Sequence, residues 1–190
     1  MKKYKLFFDC CFNKLNLILL DKLNKVINFF SIPTNNNLTD ISIEYLNEFL
    51  NNNHIKAHQI EKFYLTIGPG SFTGVRIGCI IGKTWCTLNE NCKLYVINSL
   101  RLQVPHENGI SVIDARGDKE YYALYKNNIG KVELITNEKF EIICKDNPDL
   151  PLYKNYENVD IVECLINNLN NFQEISNVSE LEPIYIKDPC

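Results

Sequence analysis

The chain has 190 residues, 45% of them apolar, which is enough to build a real core in one large domain or two small lobes and excludes a wholly disordered polypeptide. Its 20 lysines and arginines are scattered among 23 acids for a net charge of -3, so it lacks the cationic stripe with which a protein grips a polyanion unaided; if RNA is the substrate, something else holds it. No apolar run approaches the roughly 20 residues of a membrane span, and eight scattered cysteines with no Cys-x-x-Cys pair read as reduced thiols of a cytoplasmic protein, not as disulfides or a zinc site.

Residues 4–9, 15–20 and 25–30 are short apolar runs separated by polar breaks, the pattern of an antiparallel meander. The run Leu6 to Cys10, interrupted by Asp9, is too brief for a secretory leader. Thr39 or Asp40 can cap a helix carrying Ile41, Tyr45, Leu46, Phe49 and Leu50 at helical spacing, ended by Asn51 to Asn53. Phe63 to Ile67 predicts a strand, Gly68 to Gly74 a loop and Val75 to Leu88 a helix. Leu94 to Ile97 reads as a further strand, and Ser99 as the cap of a short helix through Gln103. Ile110 to Ile113 opens a second set of strands, with a turn at 114–118, then Glu120 to Tyr125, Val132 to Thr136 and Phe140 to Cys144. A last helix runs roughly from Val159 to Leu169, with Ile161, Leu165, Ile166 and Leu169 on one face. A boundary near Pro105 to Gly109 divides the chain into a fuller lobe, 1–104, and a shortened one, 105–190.

The glycine-punctuated segment carries the most information. A loop that ends a strand and opens a helix offers free N–H groups to an anion, which makes Gly68, Gly70, Ser71 and Thr73 candidate phosphate contacts. Two familiar motifs fail here. Gly78 to Thr84 has three residues between its glycines where a P-loop needs four, and Ser71 follows Gly70 directly, unlike a nucleophile elbow. Gly74, Gly78 and Gly82 recur every four residues and line one helix face, each at a cost of about 1 kcal/mol relative to alanine. The expected compensation is a second backbone lying close, either the chain's own sheet or a partner. Because Ile77, Ile81, Trp85 and Leu88 leave the helix apolar on most sides, the partner is preferred.

The run Gly68-Pro69-Gly70-Ser71-Phe72-Thr73-Gly74-Val75-Arg76-Ile77-Gly78 closely resembles the signature of the TsaB (YeaZ) family, accessory subunits for making threonylcarbamoyladenosine in tRNA. An early strand ending in Asp9, the Val112 to Arg116 turn followed by Tyr121 and Tyr122, and the segment Glu182 to Ile186 fit it in the same order. The resemblance implies an α/β fold of the actin-like, hexokinase-like (ASKHA), ribonuclease H-like type. Each of its two lobes has a βββαβα core, and the protein has no catalytic residue of its own. The implied partner is the catalytic paralogue TsaD, which modifies N6 of the adenosine beside the anticodon, with an ATPase subunit, TsaE, in the larger complex and tRNA reached only through it. Helices of the first lobe form the family's contact, which puts Gly74, Arg76, Ile77, Gly78, Ile81, Gly82 and Trp85 at the expected interface. No cofactor is expected to bind the isolated chain tightly, with ATP or ADP placed, if anywhere, at the subunit contact.

Other residue patterns carry blander readings beside sharper ones. His54 and His58 have the i, i+4 spacing of a metal pair but no third ligand in view, and read as solvated surface. Asp9, Asp114 and Asp118 fit either relics of metal-phosphate coordination or plain turn residues. Arg76 fits a partner carboxylate, an anion or a surface ion pair. The rival functions are a small ATP-dependent phosphotransferase of the same fold, using Asp9 and the Gly68 loop, and a metallopeptidase. A homodimer through the glycine stripe is a further expectation for the free chain.

Overall fold

The computed structural model describes residues 3–34, 37–157 and 159–186. The meander forms as expected: β1 (Tyr4–Asp9), β2 (Lys14–Leu20) and β3 (Val26–Pro33) pair antiparallel, with Phe8 opposite Leu17 and Ile18 opposite Phe29. α1 (Leu38–Asn52) starts slightly before the expected cap. β4 (Ile60–Thr66) then runs parallel to β1, α2 (Phe72–Leu88) crosses over, and β5 (Lys93–Ile97) runs parallel to β4. Strands buried on both faces need near-continuous apolar runs, and β1, β2 and β4 have them.

One face of this sheet presents Leu6, Phe8, Leu17, Leu19, Phe63 and Leu65 to α1 and α2. The other presents Phe7, Ile18, Leu20 and Tyr64 to α5 (Ile161–Asn168), whose Cys164 and Leu165 are buried against it. Between the two halves lies α3 (Ser99–Leu102), capped by Asn98. Its neighbour Gln103 donates to Ser111 Oγ at 2.7 Å and to the Val112 carbonyl, and accepts from Tyr156 N.

The second sheet has four strands in the order β8-β7-β6-β9: β6 (Gly109–Asp114), β7 (Lys119–Tyr125), β8 (Glu133–Thr136) and β9 (Leu152–Lys154). The segment Phe140 to Cys144, read above as a strand, lies within a helix, α4 (Asn137–Asp146). Phe140, Ile143 and Cys144 meet the helical i, i+3, i+4 spacing and pack together on Ile110, Tyr122 and Ile135. Thr136 caps this helix by accepting from Lys139 N at 3.3 Å. Thr136→Ala is expected to cost about 1 kcal/mol, measured by chemical denaturation.

Both halves thus follow the same order of three strands, helix, strand, helix: β1-β2-β3-α1-β4-α2, then β6-β7-β8-α4-β9-α5. This repeat is the ribonuclease H-like core of an actin-like fold. The first half continues into a fifth strand, β5, beside β4. The second does not, because the strand after α5, β10 (Gln173–Ile175), pairs antiparallel with β5 in the first sheet. The residues after it stay there too, since Leu181 is buried in the first core and Ile184 N donates to the Ile67 carbonyl at 2.8 Å. The sheets therefore do not divide the chain at 105, because residues 161–186 belong with the first sheet. This leaves the second half short.

Candidate partner-docking helix and the glycine-rich loop

The Gly68–Gly74 loop leaves the C-terminal end of β4 and lies on the loop that follows β1. Gly68 has φ +92°, a conformation that L side chains rarely adopt. Ser71 N donates to the Cys11 carbonyl at 2.7 Å, and Ser71 Oγ accepts from Gly74 N as the cap of α2. A Cβ added at Gly70 would stand 2.1 Å from the Cys11 carbonyl oxygen, and one at Gly74 2.0 Å from that of Cys10. The Cys10 thiol donates to the Gly74 carbonyl at 3.1 Å, and burial pushes both the Cys10 and Cys11 thiols up in pKa.

The glycine stripe is therefore sealed inside the protomer, contrary to the preferred expectation. Gly74 faces Cys10, while Gly78 and Gly82 face Leu65 of β4, whose methyl carbons would lie 3.2 and 3.0 Å from the added Cβ atoms. The close backbone is the chain's own. Gly74, Gly78, Ile81 and Gly82 are buried and offer nothing to a partner, and Ile77 and Trp85 pack partly onto the same core, Trp85 at 5.6 Å from the Phe63 ring. Of the expected interface residues only Arg76 is exposed. Its Nε donates to Tyr185 Oη at 2.9 Å, and its guanidinium stacks 3.7 Å from the Phe72 ring centroid, so it belongs to an aromatic cluster and to no ion pair among the described residues.

The outward face of α2 lies two residues away from the glycines, about 200° around the helix. It carries Phe72, Arg76, Ile80 and Leu88, with Phe72 42%, Ile80 62% and Leu88 77% exposed, while Ile43 of the adjacent α1 is half exposed. Sequence reasoning reached Arg76 and Leu88 but missed Phe72 and Ile80, because it followed the small residues. Large apolar side chains repeating every four or eight residues, opposite a face already assigned to burial, were the available signal.

Asp9 is buried and fully engaged. One carboxylate oxygen accepts from Thr66 Oγ1 and Cys11 N, the other from Asn16 Nδ2 at 3.0 Å. Burial holds its carboxyl above the usual range, opposed by these donors. Asp114 is exposed at the end of β6, accepting from Arg116 N within its own turn. It lines a polar cavity of roughly 470 Å³ with Arg116, Asp118, Glu120 and Lys154, to which neither Asp9 nor the glycine loop contributes. Thr73 is exposed on the first turn of α2. Phe12, from the loop after Asp9, stacks on Tyr156 with centroids 6.2 Å apart. The candidate anion contacts are thus not gathered at one site. The Asp9 carboxylate and the Ser71 and Gly74 amides are already bonded to the protein, and residues so dispersed and engaged do not fit a nucleotide's phosphates. His54 and His58 are both exposed, and among the described residues no group of three His, Cys, Asp or Glu side chains could hold a metal ion.

Residues 34–145 match the family model described as TsaD: tRNA N6-adenosine threonylcarbamoyltransferase. The chain belongs to this family. It is 45% identical over 189 residues to the uncharacterized protein MG208 homolog of Mycoplasma pneumoniae, covering 98% of this chain and 96% of that one. It is 44% identical to the uncharacterized protein MG208 of Mycoplasma genitalium, covering 100% and 97%. Its fold is that of YeaZ (TsaB). YeaZ from Pseudomonas aeruginosa superposes with a TM-score of 0.74 over 96% of this chain and 99% of that chain, at 13% identity. A second Pseudomonas aeruginosa structure, of an uncharacterized protein with similarity to peptidase YeaZ, gives 0.75 over 97% and 100%, at 14% identity. Among the described residues no helix is long and apolar enough to cross a membrane.

Proposed function

We propose that this chain is the non-catalytic scaffold subunit of a complex that forms N6-threonylcarbamoyladenosine in tRNA, and that it binds and activates the catalytic TsaD subunit through the outward row of α2 beside α1. The observation that carries this reading is that row: Phe72, Ile80 and Leu88 stay in water on a helix whose opposite face is already fully used. Large apolar side chains aligned on one exposed helix face are the usual anchor of a helix-to-helix contact. The bonded state of Asp9 supports the absence of independent catalysis and weighs against the phosphotransferase reading. TsaE and tRNA then join through the complex, and the complex's ATP or ADP belongs at the subunit contact. Alone, the chain homodimerises through the same row.

The test is to mix the chain with its cognate TsaD and measure association by analytical ultracentrifugation. Ile80→Asp places a charge in the centre of the row and is expected to weaken association by about 100-fold, roughly 3 kcal/mol, with an unchanged melting temperature because Ile80 makes little use of its own core. No heterodimer at micromolar concentration, or one indifferent to Ile80→Asp, overturns the reading.

A further inference from the structure

On the side of the molecule formed by the α3–β6 connection, the β7 hairpin tip and the end of α5 lies a cavity of roughly 670 Å³ that the proposed function does not use. Its walls include Asn108, Asn128, Asn167, Asn170 and Asn171. Beneath it sits Arg101, only 4% exposed. Its Nη2 donates to the His106 carbonyl at 3.0 Å and to Asn128 Oδ1 at 2.6 Å, both groups of the cavity wall, and its plane packs 4.9 Å from the Tyr125 ring centroid. Nε and Nη1 are buried without an acceptor, and none of the ion pairs among the described residues includes Arg101. A guanidinium stays charged in a protein, so a buried one without a carboxylate is an uncompensated positive charge.

Inner hydrogen bonds also engage one end of three of the wall amides. Asn128 spends its oxygen on Arg101, and Asn108 spends its oxygen on Asn127 N at 2.8 Å, which leaves the NH₂ group of each as the end available to a ligand. Asn171 does the reverse, donating to Asn168 Oδ1, which leaves its own oxygen free. Asn168 is in turn locked by donating to the carbonyls of Leu102, Val104 and Cys164. The wall thus offers two NH₂ donors, on Asn108 and Asn128, above a buried cation, with a single acid, Glu107, among its residues.

We propose that this cavity is a binding site for a phosphorylated small molecule of nucleotide size, its phosphate held by the Asn108 and Asn128 amides in the field of Arg101. Oriented donors near an unpaired positive charge select an oxyanion. The cavity is far larger than a bare oxyanion needs and falls within the range of small-molecule pockets, about 300–1,000 Å³, so the remaining amides are free to meet a sugar or base. The site stands on these residues alone and does not depend on the scaffold reading.

Calorimetric titration of the full chain with AMP, inorganic phosphate and adenosine tests it. AMP is expected to bind with a Kd of about 1 mM or tighter, inorganic phosphate to compete with it, and adenosine to bind at least tenfold more weakly. Asn128→Asp keeps the bond to Arg101 as an ion pair while replacing the NH₂ with an oxygen. It is expected to weaken AMP binding at least tenfold with a melting temperature equal to or above that of the wild type. Asn170→Asp, at an exposed rim position, is expected to weaken binding without touching the inner bonds, and Glu107→Gln to tighten it several-fold. No AMP binding at about 5 mM, equal affinity for adenosine, or indifference to Asn128→Asp and Asn170→Asp overturns the proposal.

Discussion

Gly74→Ala is expected to cost about 3 kcal/mol or more and to lower the melting temperature by at least about 6 °C, a large effect for one methyl group on a helix. Alanine ordinarily favours a helix over glycine by about 1 kcal/mol. Here the added carbon would stand 2.0 Å from the Cys10 carbonyl oxygen, and the obstacle is backbone, which no rotamer change relieves. Either α2 lifts from the sheet or the loop after β1 moves, and that loop also carries the Asp9 network. Thermal and urea denaturation measure the loss. A Gly74→Ala protein as stable as wild type would mean that α2 does not rest on this loop. Gly78→Ala, whose one tight contact is a leucine methyl at 3.2 Å, is the control and is expected to cost far less.

Asp9→Leu is the second substitution with a large expected effect. It strips acceptors from Thr66 Oγ1, Cys11 N and Asn16 Nδ2, all buried, and each orphaned donor costs about 1–3 kcal/mol, so a loss of at least about 3 kcal/mol follows. Asp9→Asn separates charge from shape. Its oxygen serves Thr66 and Cys11, and a flipped Asn16 amide accepts from the new NH₂ while still meeting Ser31 Oγ. Because burial raises the folded-state pKa of Asp9, the stability due to this group is complete below its unfolded pKa and declines as pH rises through the folded value. The difference in unfolding free energy, wild type minus Asp9→Asn, is therefore expected to fall with rising pH across the acid range. Urea titrations at a series of pH values measure it. Association with TsaD is expected to survive Asp9→Asn, whereas a phosphotransferase would lose its activity.

Patterns that depend on neighbours in the chain were legible in the sequence. The three opening strands, α1, the strand-loop-helix unit and the β6–β7 turn all follow local periodicity and turn chemistry. Phe140 to Cys144 was misread because five residues with apolar positions one, three, four and five fit either period, and only the Thr136 cap and the partners Tyr122 and Ile135 decide it. The short strands β9 and β10 carry little signal of their own and exist through pairing with β6 and β5. At the candidate site, spacing showed that the glycines share a face and demand a close backbone. Whether that backbone was foreign depended on where residues 10 and 11 come to lie, which is a tertiary fact. The exposed row from Phe72 to Leu88 then follows by subtraction, since it is what remains when the other face is filled.

The return of β10 to the first sheet has a consequence for synthesis. A nascent chain that has emerged only as far as residue 104 leaves β5 as an unpaired edge and the Phe7, Ile18 and Tyr64 surface without α5 over it. Such a half cannot complete its core ahead of the rest, because the pieces that cover it, residues 161–186, are made well after it. The two halves are therefore interlocked folding partners, and the earlier one keeps apolar surface and a strand edge exposed until residues 161–186 have been made.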